Sequence, residues 1–454
     1  MSKAEIRSIV AYTADPWESC LPILRYRAAA ELLGWHVFQG KVKEQIFPDL
    51  VDRADLVVIQ RDFPRFREEY KQIIHLARSL GKPVIYEIDD LLLELPNEHI
   101  SKGIISDALF AILEAIVNSD LVITSTTFLE DYLKPLNPRI HVIPNYLDDR
   151  IWQTNTKEYE EHVKEPVHIQ FMGGKTHYAD LVSIVPAFQY LLDHFPNVVL
   201  SFIGCQPPQA LINRANVEWL PIDILDYAEF TQFYSSQPCD IVVAPLQDQQ
   251  FNRAKSSIKF LEYSSQKKPG VYSKITPYES IIQHGKNGFL AQSLEEWQHF
   301  LGRLIINQAL RRQIAQSAFE TVKDNWLISG HVDEWKKIYE QTIALHGKQL
   351  ITRHPSIDIV LAVSQQVEER QMKLEKEIKD LNHNLVENQN TIQQLKEKID
   401  AVENELTNTR VELQSIQTSR SWKFARKLAQ IRQKVAPAES TREKLLQSMN
   451  ILSR

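Results

Sequence analysis

The amino-acid sequence predicts an α/β protein: two doubly wound domains facing one another across a cleft, followed by a long coiled-coil helix. Three observations carry that reading. Residues 1–150 alternate short β-branched runs with longer amphipathic stretches, the pattern of a parallel sheet covered by helices on both faces. The alternation stops in a polar segment, 151–166, and restarts over 167–345. From Val367 to Ile416 a seven-residue apolar repeat then runs without proline or glycine, the mark of a coiled coil.

In the first domain the strand candidates are "RSIVAYTA", "WHVFQG", "ADLVVIQRD", "KPVIYEIDD", "DLVITST" and "IHVIPN". Helical patterns lie between them, as over Arg65–Leu80, which Gly81 and Pro83 end because neither residue continues a helix well. The second domain opens with "VHIQFMGG" and a helix over Ala179–His194. "VVLSFIG", "VEWLPI", a helix over Tyr227–Ser236, "DIVVAPL", a helix within "FNRAKSSIKFLEYSS", "GVYS" and "GFLAQ" follow, and helices near 294–306, 308–324 and 331–345 close it. Two consecutive Rossmann-like domains turn their ligand-binding strand ends toward a shared cleft.

The coil occupies 365–417. Its a positions are Gln371, Ile378, Leu385, Ile392, Ile399, Leu406 and Leu413; its d positions are Val367, Leu374, Leu381, Asn388, Leu395, Val402, Thr409 and Ile416. Isoleucine-rich a and leucine-rich d positions favour a parallel dimer, and one polar seam residue, Asn388, can fix register. A long intramolecular helical hairpin is the alternative. The tail, 418–454, opens with "SRSWKFARKLAQIRQK", where Arg420, Lys423, Arg426, Lys427, Arg432 and Lys434 flank an apolar stripe of Trp422, Ala425, Leu428, Ile431 and Val435. A basic amphipathic helix suits an anionic membrane surface; a contact with a protein partner or a solvated helix end is equally open.

The totals exclude several classes. A net charge of −6 over 454 residues argues against nucleic acid as a partner. Three widely spaced cysteines, Cys20, Cys205 and Cys239, make neither a disulfide framework nor a zinc cluster. No apolar run approaches the roughly 18 residues of a membrane span. The expectation is a cytoplasmic protein whose membrane contact, if any, is peripheral and on the inner face.

Three stretches bear chemistry. In "FNRAKSSIKFLEYSS", 251–265, a continuous helix places Lys255, Lys259 and Glu262 in one narrow stripe between apolar flanks. Cations at a helix N-terminus add to the exposed N–H groups and make an anion site, phosphate being the obvious occupant; Glu262 can accept from sugar hydroxyls. A surface Lys259–Glu262 pair is the bland alternative. In "IQFMGGKTHYADL" a strand runs into Gly173 and Gly174, followed by Lys175 and His177. The glycines let a ligand approach the backbone, although the stretch is neither a P-loop nor a dinucleotide fingerprint. In "VIYEIDDLLLELP" Asp89 and Asp90 end a strand. Adjacent residues on an extended chain point oppositely, so at most one faces the cleft; a catalytic carboxylate and a helix cap are both open, and no third metal ligand is evident. Arg25, Arg27, Arg61 and Asn145 near strand ends are candidates for an anionic acceptor or a diphosphate.

Taken together, "RYRAAAEL", "ADLVVIQRD", "GKPVIYEIDDLL", "SDLVITST", "IPNYLD", "MGGKTHYADL", "DIVVAPLQDQQFNRAKSSIKFLEYSSQKKPGVYS" and "GKNGFLA" resemble a GT-B glycosyltransferase of the "glycosyl transferases group 1" type, in the branch common in bacterial polysaccharide gene clusters. The resemblance spans about 5–345, and the coil and "SWKFARKL" resemble C-terminal extensions of such enzymes. It implies metal-independent transfer of a sugar, of hexosyltransferase type and without a cofactor. The donor would be a nucleotide-diphosphate-sugar, the acceptor a saccharide or a lipid-linked molecule. It places Gly173 and Gly174 beside the diphosphate and adds Lys255, Lys259 and Glu262 as donor contacts; Lys175, His177, Arg253 and Ser256, in the same stretches, complete the donor-binding candidates. The two lysines would neutralise the diphosphate, Glu262 would hold the ribose, and Asp89 or Asp90 would face the reacting sugar and acceptor hydroxyl. One position departs: the family's E-x7-E motif has a glutamate where this chain has Ala254, which leaves the sugar and the stereochemical outcome open. A nucleotide-sugar epimerase, or a non-catalytic scaffold dimerised by its coil, are the other functions compatible with this sequence.

Overall fold

The computed structural model describes residues 6–152, 166–346 and 355–449. The chain divides into two compact units, 1–364 and 365–454.

The first unit holds two six-stranded parallel sheets. In chain order the first consists of β1 (Ser8–Tyr12), β2 (His36–Gln39), β3 (Leu56–Gln60), β4 (Val84–Ile88), β5 (Leu121–Thr124) and β6 (Ile140–Val142), arranged β2-β1-β3-β4-β5-β6. The second consists of β7 (Val167–Gly173), β8 (Val198–Gly204), β9 (Val217–Leu220), β10 (Ile241–Ala244), β11 (Gly270–Ser273) and β12 (Phe289–Ala291), arranged β9-β8-β7-β10-β11-β12. Every strand the sequence indicates is present. The central ones, such as Leu56–Gln60 and Val84–Ile88, are buried along their whole length, because helices cover both faces of a parallel sheet. In each sheet the chain leaves its first strand on one side and returns on the other, between β1 and β3 and between β7 and β10. Ligands of such sheets bind at these switch points, beyond the carboxyl ends of the strands.

The helices match the sequence pattern with local breaks. The stretch Ala179–His194 is two helices, Tyr178–Ser183 and Val185–His194, because Pro186 cannot donate to a preceding turn. Helix Val332–Leu345, which the sequence groups with the second domain, crosses back and packs on the first: Trp335, fully buried, donates its indole N–H to the Arg25 carbonyl at 2.7 Å. Of the linker segment 151–166, only Ile151, Trp152 and Pro166 lie among the described residues. Trp152 is buried edge-on against Tyr227 and Tyr234, with centroids 5.9 and 6.2 Å away. A single apolar cluster runs from Ile9 and Leu24 in the first half to Met172, Phe260 and Tyr263 in the second.

Helix Pro355–Thr418, from residue 365 on part of the second unit, runs through the whole heptad repeat. Its seam is open to solvent; Leu381 is 66% exposed. Ser419 caps the next helix, Arg420–Val435, by accepting from Trp422 N–H at 3.1 Å. Trp422, Leu428, Ile431 and Val435 lie exposed along it. Arg432 pairs with Glu443 at 2.9 Å, across the turn to helix Thr441–Ser448.

Candidate functional site

A cavity of about 360 Å³ opens where β7 and β8 end. Its floor is backbone. A side chain at Gly173 would place Cβ 2.8 Å from Phe171 Cζ and 3.1 Å from Lys259 Nζ. Gly204 has φ +83°, and a Cβ there would sit 2.6 Å from the Gly173 carbonyl oxygen. That carbonyl accepts from Cys205 N–H at 2.7 Å, so two closely approaching strand ends leave an unobstructed shelf. Lys259 and Glu262 form one wall, and the loop Ile222–Leu225 with Tyr227 another. Ser19 and Cys20, from the first half, close it, and the Tyr227 N–H donates to Glu18 O at 2.8 Å beside them.

The stretch 251–265 is not one helix. Helix Gln250–Arg253 is followed by an unwound turn, and a second helix spans Ile258–Ser265. The cause is tertiary. Phe251 and Ala254 are buried in the core of the first half. The Ala254 carbonyl accepts from Thr126 Oγ1 at 3.0 Å, and Ser256 Oγ accepts from Asn145 Nδ2 at 2.9 Å. This docking pulls the backbone out of helical geometry and overrides local propensity. Lys255 therefore does not share a stripe with Lys259 and Glu262. Its ammonium lies 4.5 Å over the Phe251 ring and 3.9 Å from Asp90 Oδ1 of the first half. Arg253 points away to solvent and pairs with Asp248 at 2.6 Å.

Lys259 and Glu262, three residues apart on the second helix, do face the cavity together. Lys259 Nζ stands 5.7 Å over the Phe171 ring and makes no ion pair with a protein carboxylate among the described residues. Burial lowers its pKa; Glu262 opposes that and Lys255 reinforces it. Burial raises the Glu262 carboxyl, against Lys259 and the Tyr227 hydroxyl, which donates to Glu262 Oε1 at 2.9 Å. Lys175 lies exposed at the rim of the shelf, and Gly174 continues it. The His177 imidazole packs beside Gly173, with Nδ1 3.0 Å from Asp180 Oδ2. Burial pushes its pKa down to about 4, so it is neutral near pH 7.

The first-half candidates have other partners. Arg25 is fully buried, and all five of its N–H groups are used: Nε and Nη2 to Glu87, Nη2 also to Thr124 O, and Nη1 to Ile143 O and Asn145 Oδ1. No donor remains for an acceptor or diphosphate. Asn145 is tied on both sides, to Arg25 and to Ser256. Arg27 stacks 4.8 Å over Trp17 and pairs with Glu18 at 2.9 Å, outside the cavity. Arg61 holds a left-handed backbone, φ 50°, fixed by its N–H donating to Glu87 O at 2.8 Å and its carbonyl accepting from Tyr86 Oη at 2.6 Å. Such a conformation persists only where the surroundings enforce it. Its guanidinium bridges Asp89 and Asp90, the latter at 3.1 Å. Burial raises the Asp90 carboxyl, but Lys255 and Arg61 outweigh it and hold the group below its usual range.

Sequence reasoning missed several wall residues. Gly204 ends "VVLSFIG", so a glycine at a strand terminus was the available signal. Asp180 is buried and accepts from Gln247 N and Asn252 Nδ2, each at 2.9 Å, which ties the glycine turn to the 247–252 loop. Nothing in its local sequence marks that role. Tyr227 reaches the site from a separate helix of the second half, and Cys20 reaches it only through the pairing of the two halves.

No protein-family model matches the chain, and no curated protein does either. Solved structures do match. Sucrose-phosphate synthase from Thermosynechococcus elongatus superimposes with a TM-score of 0.53 at 14% identity, over 74% of this chain and 99% of that one. HepE from Anabaena, solved with UDP, gives 0.51 at 14% identity over 74% and 100%. A glycosyltransferase from Rickettsia africae gives 0.51 at 13% identity over 74% and 99%. The fold is GT-B. Within it, the cavity lies beyond the carboxyl ends of β7 and β8 of the second sheet, and the Arg61–Asp90–Lys255 contact spans the two halves.

Proposed function

We propose that the chain is a glycosyltransferase that moves a sugar from a nucleotide-diphosphate-sugar to a saccharide or lipid-linked acceptor. The observation that carries this is the Lys259 ammonium, desolvated and in ion-pair contact with no carboxylate among the described residues, beside a glycine shelf at the start of a helix. That is a site lacking only an anion. A diphosphate fits: Gly173, Gly174, Lys175 and Lys259 line one volume, and Lys259 sits in the first turn of the Ile258–Ser265 helix. Glu262, one turn deeper, accepts from ribose hydroxyls there. That HepE was solved with UDP and with UDP-glucose makes UDP the first nucleotide to test.

In the reaction the anomeric bond to the diphosphate breaks, and the leaving group gains charge where Lys259 and the helix terminus are preorganised to receive it. The ring carbon becomes oxocarbenium-like, and the acceptor oxygen bonds to it and loses its proton. Asp89 and Asp90 lie on the acceptor side of the cleft. Their ion pairs, Asp89 with Arg61 and Asp90 with Arg61 and Lys255, make them positioning groups as the chain stands, so base catalysis by Asp90 requires that Lys255 leave it for the diphosphate. Lys175 and His177 border the same shelf.

Calorimetric titration with UDP, GDP and dTDP, each with its sugar, tests the proposal. Micromolar binding of one nucleotide, lost on mutation of Lys259, is expected. A folded chain that binds none of them rejects every enzymatic reading and leaves the scaffold. Donor turned over to an epimer without acceptor identifies an epimerase instead. We further propose that the exposed basic helix Arg420–Val435 rests on anionic membrane from the cytoplasmic side, and that the coil joins two copies. Co-sedimentation with vesicles containing anionic lipid should fall at least fivefold when 419–435 is removed; unchanged sedimentation rejects the membrane contact.

A further inference from the structure

The coil seam is an uncovered apolar face, and its neighbouring charges say what covers it. From Leu374 to Ile416 the seam residues project from one continuous helix with about half or more of their surface in water; Ile378, Leu395 and Ile399 are each more than 50% exposed. A helix of this kind is stable only against a partner. We infer that the partner is a second copy of this chain, aligned parallel and in register.

Two independent features select that arrangement. The first is charge. In a parallel, in-register pair each g residue meets the e′ residue five positions later on the partner helix. The heptad then sets Arg370 against Glu375, Lys398 against Glu403 and Glu405 against Arg410. The remaining pairs, such as Glu377 with Asn382 and Thr391 with Lys396, contain at most one charge, so no like charges meet. In an antiparallel pair of the same overlap g faces g′ and e faces e′: Arg370 meets Glu412 and Glu375 meets Arg410, but Lys398 loses its acidic partner and Glu377 meets Glu405. Like charges so placed are destabilising. The second is the polar seam. In register, Asn388 faces Asn388 of the other copy, and Thr409 faces Thr409, so each amide or hydroxyl has a partner that can both donate and accept. Antiparallel, Asn388 falls opposite Ile399 and Thr409 opposite Ile378, which leaves two polar groups per chain against methyl groups, a penalty for each. The chain thus matches a second copy of itself in both charge and seam polarity. The contact from Val367 to Ile416 is roughly 75 Å long at ~1.5 Å per residue.

Disulfide trapping in the full-length chain decides it. Ile392→Cys and Leu395→Cys are made separately, with the wild-type chain as the control for its native cysteines. In register, each variant cross-links to itself on mild oxidation, giving at least tenfold more covalent dimer than wild type, and a mixture gives no more than the sum. In the antiparallel pairing, position 392 faces position 395, so only the mixture cross-links. That outcome overturns the inference, as does a monomer mass by sedimentation equilibrium at micromolar concentration, or a mass of three or four chains. Sedimentation of the wild-type chain at twice its monomer mass guards against a variant that merely fails to pair.

Discussion

Lys259→Met removes the ammonium and keeps the length of the side chain, which isolates charge from packing. An ammonium about 4 Å from a phosphate oxygen contributes ~4 kcal/mol at an effective dielectric of about 20. Because Lys259 is largely buried before any ligand arrives, most of its desolvation cost falls on folding and little falls on binding. The helix terminus and shelf N–H groups remain in the variant and hold part of the affinity. The net loss should therefore be about 2–3 kcal/mol, a 30- to 150-fold rise in Kd, read by calorimetry with the nucleotide diphosphate that binds the wild-type chain. The free protein should respond in the opposite sense. Burial depresses the Lys259 pKa, so the unfolded chain binds more protons than the folded one between the folded pKa and the ordinary value near 10.5. Below that window the charged lysine lowers stability, and stability recovers as pH rises through it. Without its ligand, Lys259→Met should equal or exceed the wild type in unfolding free energy at pH 7 and lack that alkaline recovery. A folded Lys259→Met chain with a Kd within twofold of wild type would refute the assignment of this lysine to the diphosphate.

Arg25→Ala leaves Glu87 buried without its partner and should cost about 3–5 kcal/mol of folding stability, measured by urea denaturation; a loss below 1 kcal/mol would contradict the structural role. Arg253→Ala, an exposed pair with Asp248, should change nucleotide affinity less than twofold in the same titration. His177, with a pKa pushed down to about 4 by burial, should show no imidazole protonation by NMR between pH 5.5 and 8. Since its folded pKa lies below the unfolded value, stability it costs in acid is recovered as pH rises from about 4 to about 6.5, and His177→Asn should flatten that part of the profile. Asn388→Leu should raise the melting temperature of the coil while relaxing its register or oligomer state, seen as a loss of self-selectivity at position 395 in the cross-linking assay.

The sheets were legible because parallel strands buried on both faces advertise themselves as apolar runs, and "LVVIQ" or "VIYEI" admit few other fates. The coil was legible for a similar reason, since a heptad of this length needs no tertiary information. The site was legible where it depends on a strand end or a helix start: Gly173, Gly174, Lys259 and Glu262. It was misread where long-range contacts decide. Periodicity makes 251–265 one helix, yet Thr126 and Asn145, more than a hundred residues earlier, hold its middle open and turn Lys255 across the cleft. Arg25, in the helical run after the first strand, looks like a ligand contact until the carbonyls of Thr124 and Ile143 arrive to occupy it. Charge near a strand end carries the same local signature whether a substrate or the protein itself consumes it.

The indole of Trp335 reaches a carbonyl 310 residues back along the chain. During synthesis at roughly 5–20 residues per second, the turn around Arg25 would wait about 15–60 s before the helix that covers it exists. The first sheet emerges from the ribosome with one flank bare, and the second must be completed before that flank can be sealed. Nascent chains cut short between the two sheets should thus be natural clients of holding chaperones, and separately expressed halves should recover solubility when the first is supplied with residues 326–346 in trans.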